Sequence, residues 1–115
     1  MTDGLRRLGE FGLIRALTAG LQSDQRVLHG IGDDCAVVEF GDRPMLLTCD
    51  ASLEDVHFKR DWGTPQDIGW KAAVSALSDI AAMGGRANFV LVTLALPADI
   101  DLDYVDALYE GIKSA

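Results

Sequence analysis

Acidic residues border apolar runs at two places in the chain, in a pattern that could bind a metal ion. Gly30-Ile31-Gly32-Asp33-Asp34 precedes one apolar run, and Leu46-Leu47-Thr48-Cys49 leads into Asp50. Gly41-Asp42-Arg43 lies between the two runs and is typical of a turn. The two runs therefore predict a β-hairpin whose open end carries the acidic residues.

The predicted pairing of this hairpin brings two carboxylates together. A three-residue loop that pairs Phe40 with Pro44 places Asp34 opposite Asp50, with Thr48 on the same face. Opposed carboxylates repel each other unless a cation lies between them. The pattern therefore predicts a hard-metal site, although a Gly-Asp-Asp sequence by itself is also explained by turn chemistry.

Asp79 is a further candidate ligand because its predicted surroundings are unusual for a carboxylate. It lies within a helix predicted from Pro65 to Met83, where its neighbours on the same face are small or apolar. Burying a carboxylate without a partner is costly, and no Lys or Arg lies one turn away to provide one. Metal binding and a solvated or helix-capping role both remain open for this residue.

Composition limits the classes of function. The chain has 115 residues, of which 49% are hydrophobic, enough for one compact domain with its own core. The net charge of −8 argues against nucleic acid or an anionic membrane surface as a partner. The longest apolar stretch, Phe89 to Leu96, is too short to span a bilayer, and the N-terminus lacks a signal-peptide core. These features predict a cytoplasmic protein.

The two cysteines are expected to be free thiols. The register described above places Cys35 opposite Cys49, where oxidation to a disulfide is an alternative. A cytoplasmic location favours two buried free thiols instead. Neither cysteine lies in a CxxC or Cys/His arrangement, so the sequence does not indicate a zinc site.

Hydrophobic spacing and turn signals predict an α+β domain. The fold class expected is a mixed or antiparallel sheet with helices packed on one face. The predicted elements are a helix around Leu8 to Leu21, a strand from Val27 to Ile31, the hairpin, an irregular segment from Ala51 to Phe58, a helix from Pro65 to Met83 with Thr64 as its N-cap, a buried strand from Phe89 to Leu96, and a final helix from Leu102 to Ile112 that opens at Asp99 or Asp101.

Several other residues have ordinary structural explanations. His57 is by default a packed or surface histidine, Tyr109 a core aromatic residue, and Glu54 and Asp55 solvated loop acids. The two best-known glycine-rich nucleotide-binding loops are absent from the sequence.

Five motifs in order resemble the N-terminal part of the thiamine-monophosphate kinase family. They are GIGDDCAVV, LLTCD, ASLEDVHF, IGWKAAVSALSDIAAMGG and FVLVTLALP. The family belongs to the superfamily of aminoimidazole ribonucleotide synthetase and selenophosphate synthetase. The resemblance starts near Gly9 and reaches the end of the chain, and a histidine seven residues after Asp50 indicates the kinase branch.

The resemblance implies metal-binding roles for five residues. Asp34 matches a magnesium ligand. Thr48, Cys49 and Asp50 match the strand-end triplet that supplies metal ligands, with Asp50 acting through its side chain. Asp79 matches a helical aspartate that bridges several Mg²⁺ ions. The position of Cys49 is commonly Thr in the family, which leaves its carbonyl as the expected ligand.

The resemblance also implies contacts with both substrates. His57 matches a residue that contacts thiamine monophosphate, and Tyr109 matches one near ATP. The position of Ala76 is often Asn in the family, so a secondary contact there is not expected. No residue is assigned as a catalytic acid or base, because the acceptor phosphate is already ionised near neutral pH.

The implied reaction is Mg²⁺-dependent transfer of the ATP γ-phosphate to thiamine monophosphate, which gives thiamine diphosphate. Family members continue into a Gly-Gly-Asp loop, an ATP-contacting arginine and a second domain. Residues 1–115 therefore resemble a single N-terminal domain for ATP and metal binding and for homodimer formation. The alternatives are another ATP-dependent enzyme of the superfamily, or a non-catalytic dimerisation module.

Overall fold

The computed structural model describes residues 4–115, so residues 1–3 of the predicted domain lie outside the described part. Three strands form an antiparallel sheet in chain order, which confirms the α+β class. The elements are α1 (Gly4–Thr18), β1 (Val27–His29), β2 (Ala36–Phe40), β3 (Arg43–Leu47), α2 (Pro65–Ala82) and α3 (Leu102–Ser114), with a 3-10 turn at Arg60–Trp62 before α2.

Helix α2 begins and ends where the sequence predicts. Thr64 Oγ1 accepts a hydrogen bond from the Asp67 amide at 3.1 Å, and Asp67 Oδ2 accepts one from the Thr64 amide at 3.0 Å. This reciprocal capping box satisfies two amides at the helix start, and Pro65 occupies the first turn. Gly84, with φ of 72°, follows the last turn. Local chemistry therefore determines the position of the helix that carries Asp79.

Helices α2 and α3 pack against each other through two buried glycines. A Cβ atom on Gly69 would lie 2.0 Å from the carbonyl oxygen of Leu108, and one on Gly111 would lie 2.0 Å from that of Gln66. The two backbones approach too closely for any side chain at either position. This contact fixes α3 relative to the helix that carries Asp79.

The hairpin is present, but its predicted register is wrong by one residue. Phe40 pairs with Arg43 and Ala36 with Leu47, so the turn contains two residues, Gly41 and Asp42, instead of three. Gly41 has φ of 67°, which suits the first central position of a tight hairpin turn. The shift removes the predicted opposition of Asp34 to Asp50.

The same shift separates the two cysteines. They are both free thiols, as predicted, but only Cys35 is buried, and Cys49 is exposed. The expectation of two buried thiols was wrong for Cys49, because the predicted alignment of the two residues depended on the three-residue loop.

Two apolar segments differ from their predictions. Helix α1 spans Gly4–Thr18, starts earlier than expected, is interrupted at Gly9 (φ 63°, ψ 178°) and buries no residue. The predicted buried strand Phe89–Leu96 forms no strand pair within the described chain. Phe89 is 98% and Leu91 99% exposed, so this prediction was wrong. A strand requires a neighbouring backbone, and β1, β2 and β3 pair only with one another.

The expected core of a compact domain is also missing from the described residues. Cys35 and Ile68 are the only buried hydrophobic residues between positions 4 and 115. The radius of gyration is 17.3 Å, against about 13 Å for a compact chain of this length. Much of the apolar surface therefore faces outward. No helix in the described part is long and apolar enough to cross a membrane.

Candidate functional site

Three of the predicted metal ligands meet where the end of the hairpin contacts the last turns of α2. The hydroxyl of Thr48 lies 3.1 Å from Asp79 Oδ2 and 3.2 Å from the carbonyl oxygen of Asp34. Its single proton can be donated to only one of these oxygens at a time. Thr48 and Asp79 are half-buried and Asp34 is exposed, so the group lies at the protein surface.

Cys35 makes a second connection between the hairpin and α2. Its Sγ donates to the carbonyl oxygen of Asp79 at 3.2 Å, and the residue is only 2% exposed. Burial raises the pKa of the thiol, and the nearby carboxylates of Asp79, Asp34 and Asp33 raise it further. The thiol therefore remains protonated and keeps its donor role. This contact could not be predicted, because no sequence pattern relates Cys35 to Asp79, 44 residues away.

The loop before β2 is closed by its own side chains. Asp33 Oδ1 accepts a hydrogen bond from the Asp34 amide at 2.8 Å, and Asp33 Oδ2 lies 3.1 Å from His29 Nε2. Gly32 has φ of 120°, a conformation that favours glycine. Asp33 therefore serves turn chemistry, while the exposed side chain of Asp34 remains available to a ligand.

Cys49 and Asp50 directly follow Thr48 in the sequence, and both are exposed. Asp50 Oδ1 accepts a hydrogen bond from the Ala51 amide at 2.9 Å. Between residues 4 and 115, no three side chains of His, Cys, Asp or Glu are arranged to hold a metal ion. The metal-binding roles of Asp34, Thr48, Cys49, Asp50 and Asp79 stay predictions.

His57 lies on a tight turn that follows the strand-end segment. Its Nδ1 accepts a hydrogen bond from the Leu53 amide at 2.9 Å, and the side chain is exposed. Glu54 is an exposed loop acid, as predicted, and its Oε1 lies 2.7 Å from Arg60 Nε. The histidine is therefore a surface residue with a defined orientation.

Tyr109 lies on α3 and is 44% exposed, so its default assignment as a core aromatic residue was wrong. The Nζ atom of Lys113 lies 5.9 Å from the centre of its ring. A partly exposed aromatic ring on a helix surface is available to a ligand, and the predicted contact with ATP stays a prediction.

A known family accounts for most of the chain. The family model described as AIR synthase related protein, N-terminal domain, matches residues 32–115. The chain belongs to this family. The matched part of this AIR synthase related domain includes all seven predicted site residues, from Asp34 to Tyr109.

Curated relatives extend the comparison to nearly the whole chain. Three thiamine-monophosphate kinases are similar to it: one of Aquifex aeolicus is 42% identical over 96% of the chain, one of Mycobacterium tuberculosis 41% over 94%, and one of Bacillus subtilis 42% over 92%. The resemblance recognised from the motifs is thereby confirmed. The matched regions cover 34%, 32% and 33% of these relatives, so the chain spans about a third of their length. No solved structure matches the chain.

Proposed function

We propose that this domain forms the N-terminal part of an ATP-dependent thiamine-monophosphate kinase. The observation that carries the proposal is the contact among Asp34, Thr48 and Asp79, within a domain whose relatives bear that name. The reaction would transfer the γ-phosphate of ATP to the phosphate of thiamine monophosphate and release ADP. In this proposal, residues 1–115 supply the ATP- and metal-binding surface of a longer enzyme.

The acceptor chemistry suits a site built from carboxylates rather than from an acid–base pair. A phosphate acceptor is largely ionised at neutral pH, so it needs little help from a general base. The main difficulty is to hold two polyanions in line for transfer. Bound Mg²⁺ supplies the positive charge that offsets their repulsion.

The donor atoms fit Mg²⁺, which prefers oxygen ligands. Mg²⁺ in phosphate-transfer sites is commonly held by one or two carboxylates, waters and substrate phosphates. A cluster of three acidic side chains is therefore unnecessary. Asp34, Asp50 and Asp79 would supply carboxylate oxygens and Cys49 its carbonyl. Thr48 orients one oxygen of Asp79 by hydrogen bonding, which leaves the other oxygen for a ligand.

The charge of the chain supports this assignment. With a net charge of −8, the protein needs cations to attract ATP and thiamine monophosphate. His57 would contact the phosphate of thiamine monophosphate, and the exposed ring of Tyr109 would contact ATP.

Ligand binding provides the test. Isothermal titration in the presence of Mg²⁺ should give saturable binding of thiamine monophosphate and none of formylglycinamidine ribonucleotide. Asp79→Asn should weaken the binding, and Asp42→Asn in the hairpin turn should not. Binding of formylglycinamidine ribonucleotide without binding of thiamine monophosphate would favour another enzyme of the superfamily. The description of the matching family model, AIR synthase related protein, is consistent with that alternative.

We also propose that the chain forms a homodimer through the segment 89–96. Its apolar side chains are exposed, and its backbone has no strand partner in the described chain. A second copy could supply both a neighbouring strand and apolar cover. Light scattering at micromolar concentration should give the mass of a dimer. A monomer mass would contradict the proposed dimer. It would also count against the alternative that the chain is a non-catalytic dimerisation module.

A further inference from the structure

The turn that carries His57 is closed by its own backbone. The carbonyl oxygen of Leu53 accepts hydrogen bonds from the amides of Val56 at 3.2 Å and His57 at 2.8 Å. The amide of Asp55 donates to the carbonyl oxygen of Phe58 at 2.7 Å, and Asp55 has φ of 63°. Aspartate tolerates this left-handed conformation better than most residues. The turn therefore holds His57 in a defined place.

The hydrogen bond to its ring fixes the tautomer of His57. A backbone amide can only donate, so the nitrogen that faces Leu53 at 2.9 Å must accept. Nδ1 is therefore unprotonated, and Nε2 carries the proton of the neutral ring. Because the side chain is exposed, the Nε2–H group is available as a donor to a bound ligand.

Arg60 connects this turn to the helical part of the fold. Its Nε lies 2.7 Å from Glu54 Oε1, and its Nη2 donates to Glu54 Oε2 at 2.9 Å. This two-bond contact joins the residues on either side of His57. The Cζ atom of Arg60 also lies 5.6 Å from the centre of the Tyr104 ring on α3. Exposed ion pairs contribute little to stability, but a two-bond arginine–carboxylate contact defines orientation.

We propose that Arg60 is a positioning residue for His57. By holding Glu54 and lying over Tyr104, it fixes the turn in which His57 presents Nε2–H to an anionic phosphate oxygen. The identity of the phosphate-bearing ligand rests on the proposed kinase function, whereas the positioning of the imidazole does not.

Nitrogen NMR of the imidazole in the full 115-residue chain tests the positioning. In the wild type, the ¹⁵N shifts of His57 should show a single neutral tautomer with the proton on Nε2. Arg60→Gln should give a mixture of the two tautomers. Arg26→Gln is a matched control, because Arg26 forms an exposed two-bond ion pair with Asp24 away from this turn and should leave His57 unchanged.

A charge exchange separates positioning from general damage to the fold. The double variant Glu54→Arg/Arg60→Glu rebuilds the ion pair and should recover much of the single-tautomer signal, provided that the amide spectrum of α2 and α3 is retained in each variant. If Arg60→Gln keeps the wild-type tautomer, the proposal is wrong. If the double variant shows no more of the single-tautomer signal of His57 than Arg60→Gln does, the ion pair does not position His57.

Titration with inorganic phosphate in the presence of Mg²⁺ tests the ligand class. The Nε2 signal of His57 should shift in the wild type and shift less in Arg60→Gln. No shift in the wild type would overturn the assignment to an anionic oxygen. A shift with inorganic phosphate but no binding of thiamine monophosphate would reject the kinase proposal and leave the role of Arg60 intact.

Discussion

Asp79 uses different atoms for its two contacts with the hairpin. Its carbonyl oxygen accepts from Cys35, while its side-chain Oδ2 faces the hydroxyl of Thr48. The first contact holds the end of α2 against the sheet, and the second orients the carboxylate. The sequence offered metal binding, solvation or helix capping for this residue. The structure gives its half-buried carboxylate a hydroxyl partner, and metal binding by this residue stays a prediction.

Carboxylate substitutions test the metal-binding role at this scale. Mg²⁺ or Mn²⁺ at millimolar concentration should raise the melting temperature of the wild type, because an ion bound to the folded state stabilises it. Asp50→Asn should change the stability of the metal-free protein little, because Asp50 is exposed, and should reduce the metal response. Asp79→Asn should reduce that response further.

Asp42→Asn is the control, because Asp42 lies in the hairpin turn at the other end of β2 and β3. It should respond to metal as the wild type does. An identical metal response of Asp50→Asn and the wild type would show that Asp50 is not a ligand.

At the scale of elements, the contact between α2 and α3 depends on two glycines. Gly69→Ala and Gly111→Ala each place a Cβ atom against backbone, which no rotamer change can relieve. Overpacking of this kind typically costs about 1–3 kcal/mol, and backbone clashes belong at the upper end. Urea denaturation should show this loss for both variants. Gly20→Ala has open space around its Cβ and should change stability much less; equal losses in all three would contradict the proposed packing.

The start of α2 predicts a pH dependence. Hydrogen bonds from Thr64 lower the pKa of the Asp67 carboxyl from its usual value of 3.8. A lowered pKa in the folded state means that the unfolded state binds more protons in acid. The contribution of this group is therefore present above pH 3.8 and lost as the pH falls through the folded-state pKa. Asp67→Asn should flatten the dependence of melting temperature on pH in that range, and an unchanged profile would contradict this assignment.

The elements predicted well are those set by neighbouring residues. The start of α2 follows from Thr64, Pro65 and Asp67. Helix α3 begins directly after Asp101, one of the two starts that the sequence predicts, although the Asp101 side chain makes no capping hydrogen bond. The hairpin register could not be predicted from Gly41-Asp42-Arg43, because those residues permit a loop of two or three. A change of one residue in the loop length gives every residue of the hairpin a different cross-strand partner. Thr48 and Asp34 still meet, since the Thr48 hydroxyl lies beside the carbonyl oxygen of Asp34 rather than its carboxylate.

The segment 89–96 shows the limit of a local argument. Its apolar residues predict burial, but burial depends on a partner that the other described elements do not provide. The contacts of Cys35 with Asp79 and of Arg60 with Tyr104 were missed for a related reason. Each joins elements that are distant in sequence.

At the scale of the whole molecule, residues 4–115 have an open shape and include few buried apolar side chains. It spans about a third of the length of its thiamine-monophosphate kinase relatives. Exposed apolar surface of this extent is commonly covered by further protein. The proposed kinase site would then draw additional ligands from outside residues 1–115.

This consideration predicts that the 115-residue chain has no kinase activity by itself. Transfer by positioning requires both substrates to be held near attack geometry, and small misplacements cost about 10²-fold in rate. The chain should be incubated with ATP, Mg²⁺ and thiamine monophosphate and assayed for thiamine diphosphate. A rate near about 1 s⁻¹, which is ordinary for kinases, would show that the site is complete within these residues.

A crystal soaked with Mn²⁺ tests the central claim most directly, because the ion replaces Mg²⁺ and gives an anomalous signal at its position. The proposed function predicts one or more peaks bound to the carboxylates of Asp34, Asp50 or Asp79, where the hairpin meets α2. Peaks confined to other acidic residues, or no bound Mn²⁺ beside any of these three, would contradict the claim that this contact is the metal-binding part of a kinase site.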